Sequence, residues 1–282
     1  RWRFIILVKR YFNKIKKPFI VAEAGINHSG NIKTALKLVD MAKSSGADAI
    51  KFQTYITEKR VGNINPKVSE ILKKCELSYE DFEKINNYCK FKKITFFSTP
   101  FDEESVDFLE SIKVPFYKIA SVDICNYQLV RKILKTNKPA IASTGMASFK
   151  EIIKIDKMFK EKGSELVILH CVSSYPNNEK SSYLSNIPLL IKKFKRPIGI
   201  SDHTSQIKIP IYGALLGAKI IEKHIKLSNT HDCVDSPVSI TGIQLKELRD
   251  EVDKISLILR KAKFGIRAEE INSKPFKRKK IF

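Results

Sequence analysis

Two lysines stand where lysine is costly. Lys51 falls inside Ala49-Ile50-Lys51-Phe52-Gln53, and Lys118 inside Phe116-Tyr117-Lys118-Ile119-Ala120. An ammonium group among apolar, β-prone residues is expensive unless it is paired or holds an anion. A lone strand lysine is ordinarily solvated or at an edge. Two at matching places point to anion binding. Hydroxyls recur at the ends of neighbouring runs: Ser98-Thr99, Ser121, Ser143-Thr144, Ser173, Tyr175 and Ser201. Such hydroxyls can simply cap the helices that follow. They also suit a phosphate or carboxylate, which needs neutral donors beside one or two cations. His203 and His224 close two further runs, Ser201-Asp202-His203 and Glu222-Lys223-His224. Imidazoles so placed can share one divalent cation, with Glu23 or water completing its sphere. His170 lies inside a run and reads as structural. A bound divalent ion polarises a carbonyl. The residues therefore point as far as metal-assisted C–C bond formation or cleavage on an anionic substrate.

These side chains need a scaffold that brings them together. Eight short apolar runs recur, at 19–24, 49–53, 95–98, 116–120, 140–143, 166–171, 197–200 and 219–224. Most are almost continuously apolar, as parallel strands buried on both faces are. Between them lie segments of helical period. Asn31 caps one whose apolar positions are Ile32, Ala35, Leu36 and Val39, and Gly46 stops it. Ser78 opens another with Asp81 in the reciprocal capping position. Further helices are expected over 103–111, 127–135, 150–162, 184–194, 207–216 and 244–261, with a short one near 67–74. Eight strand–helix units match a single-domain (β/α)8 TIM barrel in count and spacing. The competing doubly wound sheet often carries a GxGxxG turn, and none is present. In a barrel the chemistry sits at the C-terminal ends of the strands. Apart from His170, the polar residues named above, together with Gln53 and Asp123, stand at such an end or just after it.

Composition narrows the class. The chain has 282 residues, 43% hydrophobic and 29% charged, which is globular rather than disordered. No apolar run approaches the roughly 18 residues of a membrane helix. Five scattered cysteines with no CxxC pair read as reduced thiols, so a cytoplasmic location is expected. Net charge is +22. Lysines are spread along the chain among acids and are dense only at the two ends: Lys9, Arg10, Lys14, Lys16 and Lys17, then Lys274, Lys277, Arg278, Lys279 and Lys280. No nucleic-acid reader motif accompanies the charge, so a nucleic-acid partner is not expected. The reading divides the chain into a basic extension (1–17), a catalytic barrel (18–265) and a basic tail (266–282).

Taken in order, Ile20-Val21-Ala22-Glu23-Ala24-Gly25-Ile26-Asn27-His28, Lys51-Phe52-Gln53-Thr54, Ser98-Thr99-Pro100-Phe101-Asp102, Tyr117-Lys118-Ile119-Ala120-Ser121, Ser143-Thr144-Gly145-Met146, His170-Cys171, Tyr175-Pro176, Ser201-Asp202-His203-Thr204 and Glu222-Lys223-His224 form a set. Together they resemble the sialic acid (N-acetylneuraminate) synthase family, which includes pseudaminic and legionaminic acid synthases. The resemblance implies condensation of phosphoenolpyruvate with an N-acetylmannosamine-type sugar, with C–O cleavage and release of phosphate. It implies a divalent ion, Mn2+ before Mg2+ or Co2+, on His203 and His224. It assigns phosphoenolpyruvate to Lys51, Thr99, Lys118, Ser121, Ser143 and Ser201, and the sugar to Gln53, Tyr175 and Asp235. Glu23 and Asp123 would handle protons and water.

Some positions depart from the family pattern. Asp123 replaces a Glu, and Ser173 replaces an Asn found in some members. Val234-Asp235-Ser236 resembles the pseudaminic branch, whereas the Glu23–His28 motif resembles the others. The family continues into a small antifreeze-like domain that crosses a homodimer. This chain stops at Phe282, about where that domain would begin. The expectation is a fragment, or a variant that binds metal and phosphoenolpyruvate with impaired turnover.

Overall fold

The computed structural model describes residues 11–12, 15, 17–61, 65–259, 261 and 264–278. Of the two basic ends, Lys9, Arg10, Lys14, Lys16, Lys279 and Lys280 lie outside the described residues. β1 (Phe19–Gly25) leads to α1 (Ile32–Ser44). β2 (Ala49–Thr54) leads to α2 (Thr57–Val61), α3 (Pro66–Cys75) and α4 (Tyr79–Lys92). β3 (Thr95–Pro100) and α5 (Glu103–Ser111) precede β4 (Tyr117–Ile119) and α6 (Tyr127–Lys135). Next come β5 (Ala140–Ser143), α7 (Phe149–Lys162), β6 (Leu166–Cys171) and α8 (Asn186–Phe194). β7 (Ile198–Asp202), α9 (Lys208–Leu215), β8 (Ile220–His224) and α10 (Gly242–Ile258) complete the order. The strands are parallel and close in sequence order, with β8 pairing β1 from Phe19↔Ile220 to Glu23↔His224. This is the expected (β/α)8 TIM barrel.

Strand alternation sorts the side chains into two cores. Ile20, Ala22, Ile50, Phe52 and Ile221 face outward and pack under the helices. Val21, Ala49, Phe97, Phe116, Ile141, Leu169 and Ile220 face inward and fill the lower barrel. Two residues further along each of these strands stands Glu23, Lys51, Thr99, Lys118, Ser143, Cys171 or Glu222. The inward face thus changes from apolar to polar over one pleat. The crowding below is severe. A Cβ on Gly199 would lie 2.4 Å from the Ile220 carbonyl oxygen and 2.5 Å from Leu169 Cδ2, so only glycine fits there.

Part of the expected N-terminal extension belongs to the barrel. Phe12 is buried against Phe116 and Phe19 at the barrel bottom, and its amide donates to the Glu165 carboxylate at 3.1 Å. At the other end of the sequence, Arg249 of α10 bridges the Pro18 carbonyl, Asp48 and Asp253, locking the last helix onto the start of β1. Asn31 caps α1 through the Thr34 amide, and Ser78 caps α4 through the Asp81 amide. α2 was not foreseen, because five residues carry too little helical period to read. α8 begins at Asn186, two residues later than expected.

Candidate active site

The polar ring closes over a cavity of about 160 Å3 at the C-terminal ends of the strands. Its floor is a buried cluster of charge. Lys51 Nζ lies 2.8 Å from Glu23 Oε1, 3.8 Å from Glu222 Oε2 and 3.0 Å from Thr99 Oγ1. Lys118 Nζ donates to Ser143 Oγ at 2.7 Å and lies 3.5 Å from Glu222 Oε1. Ser201 Oγ donates to the same Glu222 oxygen at 3.0 Å. Burial opposes ionisation of Glu222, but Lys118 and Lys51 outweigh it and pull the carboxyl down to about 2. Burial pushes Glu23 upward against the pull of Lys51, so the two carboxyls flanking one ammonium differ in proton affinity. Burial also lowers Lys118, against the pull of Glu222. One oxygen on each carboxylate, Glu23 Oε2 and Glu222 Oε2, is buried with no hydrogen-bond partner.

The wall carries the two imidazoles. The His203 and His224 rings are 5.5 Å apart between centroids, and Tyr175 packs 4.0 Å from His203 and 6.0 Å from His224. His203 Nδ1 lies 2.8 Å from the Val172 carbonyl oxygen. A carbonyl only accepts, so this contact places the proton on Nδ1 and leaves the Nε2 lone pair free. His224 Nδ1 lies 3.3 Å from Asp235 Oδ2, close enough for an ion pair but without good hydrogen-bond direction. Burial disfavours the imidazolium of His224, yet Asp235 and Glu23 outweigh that and raise its pKa. Asp235 does not line the cavity itself. Its carboxylate, Glu23 and Gln53 all crowd Gly25, where a Cβ would come within 3.4 Å of an oxygen or nitrogen of each. Gly25 has φ +53, in the left-handed region that glycine adopts without strain.

Most of the residues expected from sequence converge here. Glu23, Lys51, Gln53, Thr99, Lys118, Ser121, Ser143, Ser173, Tyr175, Ser201, His203 and His224 line the cavity. Asp123 does not. Its 3-10 turn (Ser121–Asp123) presents Ser121 to the cavity and carries Asp123 back to its own loop, where Asn126 Nδ2 donates to Oδ1 at 3.1 Å. His170 faces away, with Nε2 2.6 Å from the Ser182 carbonyl oxygen, as a structural residue should. Two charged lining residues carried no role in the sequence reading, Glu222 and Arg60. Strand alternation was the available signal for Glu222, since it shares a face with His224. Arg60 had none, because it reaches the cavity from α2.

The donors suit a divalent ion. Among the described residues no three His, Cys, Asp or Glu side chains form a ready metal cluster. His203 and His224, with rings 5.5 Å apart between centroids, would leave an ion's remaining positions to substrate or water, rather than form a closed structural cage.

The match to known proteins covers most of the chain. Residues 38–263 match the NeuB family. The chain belongs to the NeuB family. This NeuB-family enzyme is 35% identical to a pseudaminic acid synthase of Campylobacter jejuni, over 95% of this chain and 82% of that protein. It is 36% identical to an N,N'-diacetyllegionaminic acid synthase of Legionella pneumophila, over 86% of this chain and 73% of that protein. Its fold superposes on an N-acetylneuraminic acid synthetase of Leptospira borgpetersenii, solved with citrate, at a TM-score of 0.88 and 39% identity. That superposition covers 93% of this chain and 92% of the other. No described helix is long and apolar enough to cross a membrane.

Proposed function

We propose that this NeuB-family enzyme condenses phosphoenolpyruvate with an N-acetylmannosamine-type sugar aldehyde to make a nonulosonic acid and inorganic phosphate. The observation that supports it most is the pairing of two buried ammonium groups, Lys51 and Lys118, with the two imidazoles in one cavity. A trianionic enol phosphate needs the first pair, and an aldehyde acceptor needs an electrophilic partner beside it. When bound at His203 and His224, a divalent ion such as Mn2+ would supply Lewis-acid polarisation of the aldehyde carbonyl.

The chain's own groups do the rest. Lys51 and Lys118, with Thr99, Ser143 and Ser201, hold the phosphate and carboxylate and keep the enol carbon facing the acceptor. Ser121 and Ser173 add hydroxyls at the rim, and Gln53 and Tyr175 face the sugar end. The new C–C bond joins the enol carbon to the aldehyde carbon, whose oxygen takes a proton. Glu23, with its raised proton affinity, lies on the floor to supply that proton. Water then adds at the phosphate-bearing carbon and loses a proton to Glu23, which the first step has left as a carboxylate. The hydroxyl so formed passes its proton to the leaving phosphate as the C–O bond breaks and the keto group forms, and the two ammonium groups stabilise the departing charge.

A panel of 2-acetamido sugars, each incubated with the chain, phosphoenolpyruvate and Mn2+, tests the reading. Phosphate release is expected only when sugar and metal are both present, and chelation should abolish it. Mass spectrometry should find a product equal in mass to the sugar plus pyruvate. Absence of release with every sugar in the panel would reject the proposal.

A further inference from the structure

Among the described residues Arg60 is the one cavity cation that neither the sequence motifs nor the floor cluster explains. It sits on the five-residue helix α2 and lines the cavity beside Gln53. Its guanidinium lies 3.7 Å from the centroid of the Phe101 ring and 4.6 Å from that of Tyr55. The socket is itself braced. Tyr55 Oη donates to the Leu72 carbonyl at 2.9 Å, and the Ile56 amide donates to Asp102 Oδ2 at 2.8 Å. Arg60 Nη1 donates to Gln53 Oε1 at 3.0 Å, which turns the Gln53 amide nitrogen toward Glu23 Oε1, 3.4 Å away. Glu23 in turn holds Lys51. A chain of contacts therefore runs from the mouth of the cavity to its floor.

Among the described residues Arg60 makes no ion pair. Asp123, Asp235 and Glu23 act on it only through space. A guanidinium carries five donors in a rigid plane, and the Gln53 bond uses one. Stacking on aromatic faces holds the plane but offers no acceptor to the N–H groups. A largely buried, pre-oriented guanidinium with donors left over is matched to oxygen acceptors that arrive with a ligand.

We infer that Arg60 binds the acceptor sugar through its oxygen atoms and sets which acceptor the enzyme takes. The inference rests on the proposed synthase reading for the identity of that ligand. Its hydrogen bond goes to Gln53, the proposed sugar contact, and not to the Lys51–Lys118 floor, which assigns it to the sugar end of the cavity rather than the enol phosphate end. Two oxygen sources share this chemistry, the amide carbonyl of an N-acyl group and a phosphate ester on the sugar. A carbonyl takes one or two of the donors as a neutral acceptor, whereas a phosphate takes a charge-assisted pair.

Steady-state kinetics of the Mn2+-loaded chain with Arg60→Met and Arg60→Lys decide it. The expected result for Arg60→Met is a sugar KM raised by about tenfold or more, with the phosphoenolpyruvate KM within about twofold of wild type. Arg60→Lys should recover part of the loss, since charge returns without the fork. Running N-acetylmannosamine and its 6-phosphate in parallel separates the sources. A penalty confined to the phosphorylated sugar assigns the ester, and an equal penalty on both assigns the carbonyl. Unchanged sugar KM in both variants overturns the inference. So does an equal rise in both KM values with a lowered melting temperature, which marks a structural residue. If the wild-type chain turns over no sugar, the synthase reading fails first. Saturation-transfer NMR with N-acetylmannosamine then decides Arg60 separately. Binding lost in Arg60→Met sustains the inference, and binding kept, or absent from wild type, ends it.

Discussion

Two buried lysine–carboxylate groupings lie on opposite faces of the same barrel wall, and they are built differently. On the outer face, Lys223 meets Asp202 Oδ2 at 2.6 Å and also donates to the Thr204 carbonyl. Asp202 takes the Thr204 amide and hydroxyl as well, at 3.2 and 2.8 Å. The outer pair is closed. On the inner face, Glu222 stands between two ammonium groups at 3.5 and 3.8 Å, both longer than a hydrogen bond, and it leaves Oε2 unmatched. The inner cluster keeps unused charge and unused oxygen. A closed pair serves the fold, because burying it unpaired would be costly. An open one has bonding capacity left for a ligand.

The sharpest way to break this contrast is to remove one cation from each grouping. Lys118→Met should lower kcat/KM for phosphoenolpyruvate by about 10^3-fold, because an ammonium that stabilises departing charge is gone. Glu222 keeps Lys51 and Ser201, so thermal melts should move little by comparison. A variant that stayed active but unfolded easily would make the inner cluster structural and erase the distinction. Lys223→Met should do the reverse. It leaves Asp202 buried without its cation and should cost about 3–5 kcal/mol in urea unfolding. Phosphate release per folded molecule should hold. A loss of turnover in excess of the loss of folded protein would place Lys223 in the active site.

A smaller effect extends the comparison to a buried group kept neutral. His28 follows β1, packs near Phe52, and accepts from the Gly30 amide. Burial pushes its pKa down from 6.5 to about 4. The folded state thus favours neutral His28. Its contribution is fully present above pH 6.5 and is lost as pH falls through about 4. Urea melts across this window should lose about 3 kcal/mol from this group, and His28→Gln should flatten that part of the profile. An identical slope in the variant would assign the acid sensitivity elsewhere.

Much of this was legible in the sequence for a definite reason. Parallel strands buried on both faces leave near-continuous apolar runs, so all eight strands were visible as runs. β4 alone is notably shorter than its run, pairing only at Tyr117–Ile119 before the 3-10 turn takes over. Caps such as Asn31 are local devices and were readable locally. α2 was not, since its five residues are held by the Asp102 and Glu76 contacts around Ile56 and Thr57 rather than by their own pattern.

The chain order of apolar runs and the polar residues ending them already determined the barrel and the greater part of its polar ring. Both follow from local rules: which residues a two-faced strand can bury, and which end of a strand faces the site. Closure decided what those rules cannot reach. Alternation puts Glu222 and His224 on one face of β8 and Lys223 on the other, but only the closure of β8 onto β1 brings that first face beside Glu23. Only the path of the 3-10 turn carries Asp123 off the cavity wall. Only the packing of α2 over Phe101 delivers Arg60 to the mouth. Each is a contact between residues distant in sequence or a direction set by a neighbour's packing, and no local pattern encodes either.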